Sequence, residues 1–205
     1  MNSNYAVLPL TLDDLEDLLA LHAQYLNYGD GIRAHFTQAL TDPDTVAVKC
    51  VYQGHMIGLD LYVRGIYLSG GHPDLCAEVR NAAGNGVVYT GDALLVVPQH
   101  RHRGVDTAMA GVCRKALAAK GANWVLYELW VHPDGRIPAQ RSVDRYRDVI
   151  DFGFHPDFYK DFDHFGYYCP ICGEKCKCAA HLYLCKIDGS GKDDLPCETQ
   201  ASAPE

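Results

Sequence analysis

The sequence predicts a mixed α/β domain, on three observations. Segments of strand-like alternation interleave with segments whose apolar residues recur at helical spacing. One apolar run near the middle passes through a single glycine straight into a helix. The 205 residues, 48% apolar and 21% charged, suffice for one hydrophobic core with some chain to spare.

Taken in order, residues 5–9 (YAVLP) read as a strand. Thr11 offers an N-cap, and Asp13 and Asp14 occupy a first turn where the helix dipole favours acids. Leu12, Leu15, Leu19, His22 and Leu26 carry an amphipathic helix to a stop at Gly29. A shorter helix covers 32–40, and TDPD breaks it. TVAVKCVY and MIGLDLYVRGIYL, joined by QGH, form an antiparallel hairpin. Residues 69–86 read as a long loop holding a helical turn. VVYTGDALLVVP is a strand in which Gly91 marks a bulge or bend.

The next helix, 105–120, puts Val105, Ala108, Met109, Val112 and Ala116 on one face, and Gly121 stops it. NWVLYELWV is a strand, HPDGRIPAQ a loop and 141–150 a helix. A strand over 153–162 and a last one, HLYLCKI, bracket a cysteine-rich stretch. Residues 1–187 thus form a single domain, with 166–185 as an insertion between its last two strands. The polar, small-residue segment 188–205 reads as a disordered tail.

The central strand–loop–helix unit has a definite chemistry. The first turn of a helix carries N–H groups without internal partners, backed by the positive end of the macrodipole. Gly104 removes the side chain that would keep an anion from this backbone, and Arg101 and Arg103 add charge at the rim. Together they make a pyrophosphate cradle. It is neither the GxGxxG fingerprint, since one glycine is present, nor a Walker A loop, since no GK[ST] follows.

VVPQHRHRGVD resembles motif A of the GNAT superfamily of N-acetyltransferases, V-x-P-x-x-[QR]-x-x-G-x-[GA]. Val96, Pro98, Arg101 and Gly104 fall on the pattern; Asp106 departs from it, standing where Gly or Ala is usual. RYRDVIDFGF resembles the late tyrosine-to-GF segment, with Tyr146 on a helix and Gly153-Phe154 leading into the sixth strand. The resemblance implies a GNAT fold: a mixed central sheet of six or seven strands flanked by helices and splayed between strands four and five. It also implies acetyl-CoA as cosubstrate. The pyrophosphate would lie on the amides of His102, Arg103, Gly104, Val105, Asp106 and Thr107, with Arg101 alongside. The pantetheine would run along the open edge formed by Leu95, Val96 and Val97, and the Val96 N–H would meet the thioester carbonyl.

Acetyl transfer to an amine needs a neutral amine, a donor to the carbonyl oxygen and a proton for the leaving thiolate. Tyr146 matches the family's thiolate acid by position. For the base, strand periodicity places Thr90, Asp92, Leu94 and Val96 on one face, and Trp124, Leu126, Glu128 and Trp130 on one face of the following strand. Asp92 and Glu128 are acids inside apolar strands, where acids seldom lie without a partner or a task. Tyr159 competes with Tyr146, and His132 is a further candidate base.

Nine cysteines are present, five of them between 169 and 185. Their CxxC and CxC spacings read as metal binding rather than as a disulfide framework. Four thiolates close a tetrahedral, structural Zn2+ site. The simplest set is Cys169, Cys172, Cys176 and Cys178, with His181 or Cys185 as replacements for one of the last pair.

Net charge is −8, which disfavours a nucleic-acid backbone as partner. No run of eighteen apolar residues and no leader-like N-terminus occur, so the expected location is cytoplasmic and the expected partners exclude the membrane. The acceptor is an amine on a small molecule or a protein; a homodimer stays open. The alternative reading is a GNAT-like binding module of weak activity whose zinc knuckle recognises a protein or nucleic acid.

Overall fold

Gln53 and Gly54, at φ 51° and 83°, turn the chain between strand β2 (Val46–Tyr52) and strand β3 (His55–Arg64). Positive φ at both central residues is what a two-residue hairpin loop requires. The hairpin extends to β1 (Tyr5–Pro9) on one side and β4 (Val88–Val96) on the other. Beyond β4 come β5 (Trp124–Val131), β7 (Ala179–Lys186) and β6 (Val149–His155), giving one sheet in the order β1-β2-β3-β4-β5-β7-β6. These positions come from a computed structural model, which describes residues 5–29, 31–161, 166–173 and 175–187. The tail expected over 188–205 lies outside them.

All neighbours pair antiparallel except β4 and β5. This parallel pair is in register only from Val88 to Gly91 against Trp124 to Tyr127. Past Gly91 the two strands part. The cause is visible on the other side of β4, where Leu61 pairs with Ala93 but Tyr62 pairs with Gly91. Asp92 is the extra residue of a β-bulge, which bends the strand. Gly91 sits where a Cβ would come within 3.1 Å of the Tyr127 ring. The bulge also corrects a parity: Thr90 bonds the Gly65–Tyr67 loop, whereas Asp92 reaches His35 on α2, so Thr90 and Asp92 do not form one regular face with Leu94 and Val96.

Helices α1 (Leu15–Tyr25) and α2 (Gly31–Thr41) follow β1, and Leu18, His22 and Phe36 are their buried contacts. Helix α4 (Val105–Ala119) packs on β2 and β3 through Val105, Met109, Cys113 and Leu117. That stripe keeps two residues of the expected face, while Val112 is exposed.

Three expectations need correction. Residues 73–83 are a full helix, α3, rather than a loop with one turn. Pro73 in its first turn, Asp74 beside it and Gly84 after it are helix signals; only Val79 and Ala83 are buried, too few to show as periodicity. The expected helix over 141–150 is a short α5 (Gln140–Asp144). From Val149 the chain is β6, because β7 offers it a strand partner and Val149, Ile150 and Phe152 suit a sheet. Strand β6 consequently ends at His155, before Pro156 and Asp157, the latter at φ 51°.

Among the described residues, two clusters make up the interior. The larger joins α1, α2 and α4 to the sheet; the smaller gathers Val79, Ala83, Leu126, Leu182 and Leu184 with Cys169, Cys176 and Cys178.

Candidate functional site

Where β4 and β5 part, the gap opens into a cavity of about 200 Å³. Its walls come from His22, Leu26 and Asn27, from Asp92–Leu94, from Tyr127–Trp130, from Pro138, Ala139 and Ser142, and from Tyr159, Cys169, Pro170 and Cys176. Asp60 of β3 lies at its base. Apolar walls with a few converging polar groups describe a small-molecule site.

One end of the gap leads to the N-terminus of α4. Val97 donates its N–H to Ile57 O at 2.9 Å, facing β3. Strand alternation therefore turns the backbone groups of Val96 and Leu94 towards the gap. Arg101 folds back, its Nε 2.8 Å from Val96 O. Leu95 and Val97 are buried, whereas His102, Arg103 and Thr107 are exposed at the helix start. Gly104 caps α4 at φ 78°, and a Cβ there would meet nothing within 4 Å. Its glycine is thus set by left-handed backbone and leaves open space before the helix amides.

Asp106, the departure from the motif, does not point its charge at that space alone. Arg145 Nη2 is 2.6 Å from Asp106 Oδ2, and the same guanidinium contacts Thr107 Oγ1 at 3.3 Å. The ion pair is largely buried on the arginine side.

The two acids expected inside the strands are both at the cavity. Asp92 pairs with His35 Nε2 at 2.8 Å, and that carboxylate raises the His35 imidazole above its ordinary value. Glu128 Oε2 accepts the Ser69 N–H at 2.7 Å, and burial pushes its carboxyl up. Trp124, Leu126, Glu128 and Trp130 share a face as expected, with Leu126 in the smaller core. Tyr159, beside Glu128, is buried and held far from ionisation by burial. His22, also buried, is pushed down to about 4 by burial, and its Nδ1 is 2.8 Å from Asn27 O. His132 is outside the cavity lining.

Tyr146 lies in the turn after α5 rather than on a helix. Its hydroxyl is 3.1 Å from the Tyr127 hydroxyl, and burial raises it to about 12. Arg114 sits 5.8 Å from its ring centre. Asp60, missed in the sequence, is 2% exposed and pushed up to about 7 by burial. Its only signal was an acid amid a run of apolar strand residues, GLDLYV.

The cysteines converge as well. The sulphurs of Cys169, Cys172, Cys176 and Cys178 lie within 4.8 Å of one another. Cys178 Sγ is 3.9 Å from Cys169 Sγ and 3.7 Å from Cys172 Sγ. A tetrahedron of thiolates 2.3 Å from zinc has edges of about 3.8 Å. The Ile171 and Cys172 amides both donate to Cys169 Sγ at 3.4 Å. The donor set fits a structural zinc. His181 stands apart: Nε2 is 2.7 Å from Asp151 Oδ1 and its ring stacks on Tyr183. Parity explains this, since Tyr183 and Cys185 face the larger core while Leu182 and Leu184 face the cluster that holds the cysteines.

No family model and no curated protein matches the chain. Solved structures do. NAA60 of Arabidopsis thaliana in complex with acetyl-CoA is 18% identical with TM-score 0.64, over 90% of this chain and 99% of that one. The ribosomal-protein-S18-alanine N-acetyltransferase of Escherichia coli is 13% identical, TM-score 0.57, over 92% and 97%. A putative acetyltransferase of the GNAT family from Desulfovibrio desulfuricans is likewise 13% identical, TM-score 0.57, over 90% and 99%. The parted parallel pair, the glycine-capped helix beside it and these likenesses together show that the chain has the GNAT fold.

Proposed function

We propose that the chain is an acyl-CoA-dependent N-acetyltransferase that moves acetyl from acetyl-CoA to a primary amine by direct attack. One observation carries the reading: β4 and β5 part beside a cavity lined by Asp60, Asp92 and Glu128, and the far end of β4 leads on to the glycine-capped α4. The acetyl-CoA complex of the Arabidopsis neighbour supports the choice of cosubstrate.

The amides of His102–Thr107 hold the pyrophosphate, with Arg101 and Arg103 at the rim and Asp106 neutralised by Arg145. The pantetheine lies along Leu95–Val97, and the Val96 N–H stabilises charge on the thioester oxygen. An amine reaches the cavity as an ammonium ion and must lose a proton. Glu128, whose carboxyl burial pushes up, takes it; Asp92, tied to His35, orients the amine. Asn27 Oδ1, buried and without a partner among the described residues, accepts a hydrogen bond from the same nitrogen. The nitrogen then bonds to the carbonyl carbon, the C–S bond breaks, Tyr146 protonates the thiolate, and the amide nitrogen loses its second proton to solvent water.

Cys169, Cys172, Cys176 and Cys178 would hold zinc. A closed four-thiolate site supplies rigidity rather than Lewis acidity, and here it would stiffen the wall formed by Cys169, Pro170 and Cys176.

A screen of amine classes for release of free CoA, paired with native mass spectrometry in acetyl-CoA, tests the reading. Binding of acetyl-CoA and CoA release with at least one amine class are expected. A chain that binds no acetyl-CoA overturns it.

A further inference from the structure

Asp60 is a buried carboxyl that the reaction above does not use. Burying such a group is costly, although Arg114 and Arg145 line the small pocket beside it. It is connected through hydroxyls. The Tyr62 hydroxyl is 3.3 Å from Asp60 Oδ2, the Tyr127 hydroxyl 3.2 Å from that of Tyr62, and the Tyr146 hydroxyl 3.1 Å from that of Tyr127. Asp60, Tyr62 and Tyr127 are 2%, 3% and 8% exposed, so little bulk water reaches this line. A hydroxyl both donates and accepts; that of Tyr62 stands between the carboxyl and Tyr127, and that of Tyr127 between Tyr62 and Tyr146.

We propose that Asp60 is the proton source for Tyr146, reached through the hydroxyls of Tyr62 and Tyr127. This rests on the transferase reading and assigns Asp60, Tyr62 and Tyr127 as positioning residues that act through Tyr146. As the C–S bond breaks, Tyr146 gives its proton to sulphur and draws one from Tyr127. Tyr127 draws from Tyr62, and Tyr62 from protonated Asp60, which is left as carboxylate. Asp60 also lines the cavity with Glu128, where the ammonium ion's first proton has gone, so the carboxylate is reloaded from that side, while the second proton, shed as the amide forms, leaves to solvent.

Burial supports the protonated start by pushing the Asp60 carboxyl up to about 7. The charged or titratable groups around it are Tyr62 on its own strand, Cys113, Asp106 and Arg114 on α4, Tyr127 and Glu128 on β5, Asp92 on β4, His22 on α1, and Arg145 and Tyr146 beyond α5. Arg145 opposes the shift and Asp106 adds to it, and the burial cost outweighs both.

The test uses Tyr62→Phe, Asp60→Asn and the double variant in single-turnover acetylation of an amine found in the screen. Tyr62→Phe removes one hydroxyl and leaves the Tyr127–Tyr146 contact in place, so it stands if Asp60→Asn fails to fold. Each single variant should lower the rate about tenfold or more, with acetyl-CoA affinity within about twofold of wild type. The double should lose no more than the worse single, as members of one unit do. The wild-type rate should fall above about pH 7, the Asp60 value, and Asp60→Asn should lose that limb. A wild-type rate in Tyr62→Phe, or additive losses in the double, overturns the relay alone. Absence of CoA release by the wild-type chain with every amine overturns the transferase reading beneath it.

Discussion

Arg145 Nη2 and Asp106 Oδ2 lie 2.6 Å apart at the first turn of α4. An acid at this point would repel a diphosphate held as proposed. Here the guanidinium, largely buried, is fixed against it and cancels most of the charge.

Arg145→Ala should therefore weaken acetyl-CoA binding by about tenfold or more, because it leaves the Asp106 carboxylate bare before an anion. The double variant Arg145→Ala/Asp106→Ala should recover most of that loss. Calorimetric titration of acetyl-CoA into the single and double variants checks it, and equal losses in both would show that Arg145 acts on the ligand directly.

Gly104→Glu should abolish acetyl-CoA binding. The residue sits at φ 78°, so any side chain adds strain of about 1–2 kcal/mol. A Cβ there points into open space, so the glutamate is sterically free to hold its charge before the helix amides. Gly104→Ala carries the strain without the charge and should bind within about tenfold of wild type. The pair, compared by calorimetry and thermal shift, separates repulsion from folding.

Glu128→Gln should lower turnover about 10²- to 10⁴-fold, the usual worth of a positioned base, and leave acetyl-CoA affinity unchanged. Its carboxyl lines the cavity wall, whereas the proposed cradle lies beyond the cavity lining at the start of α4. CoA-release kinetics measured beside titration will show the split.

The strand, the glycine cap and the helix start were legible in the sequence because they are consecutive in the chain. The cysteine set was legible for the same reason, spacing standing in for geometry. Asp60 was not, because its meaning comes from Tyr62, Tyr127 and Tyr146 on three other stretches of the fold. Asp92 was half legible; an acid inside a strand was conspicuous, but the bulge that turns it to His35 depends on the register of β3. The Tyr146 segment misled by its helix-like spacing, which the waiting edge of β7 overrides at Val149.

Purified without chelator, the chain should carry about one zinc per molecule, and Cys176→Ser should bring it below about half. His181→Ala should leave the metal in place, since that imidazole is committed to Asp151 at 2.7 Å. Elemental analysis decides both. Loss of the metal should also lower thermal stability, because four buried or partly buried thiols then lack the charge that holds them together.

Asp60 makes a prediction that needs no substrate. Its carboxyl titrates near 7 in the fold and near 3.9 in an unfolded chain. Between those values the native state keeps a proton that the unfolded state has released, so this group lowers stability as pH rises through that window. Asp60→Asn removes the slope. Relative to wild type, the variant should gain up to about 4 kcal/mol between pH 4 and pH 8, at 1.36 kcal/mol per pKa unit. Urea unfolding of both proteins across that range measures the difference, in which all other titrations cancel. A constant offset between the two curves would place the Asp60 carboxyl at an ordinary value and remove the protonated start that the tyrosine line requires.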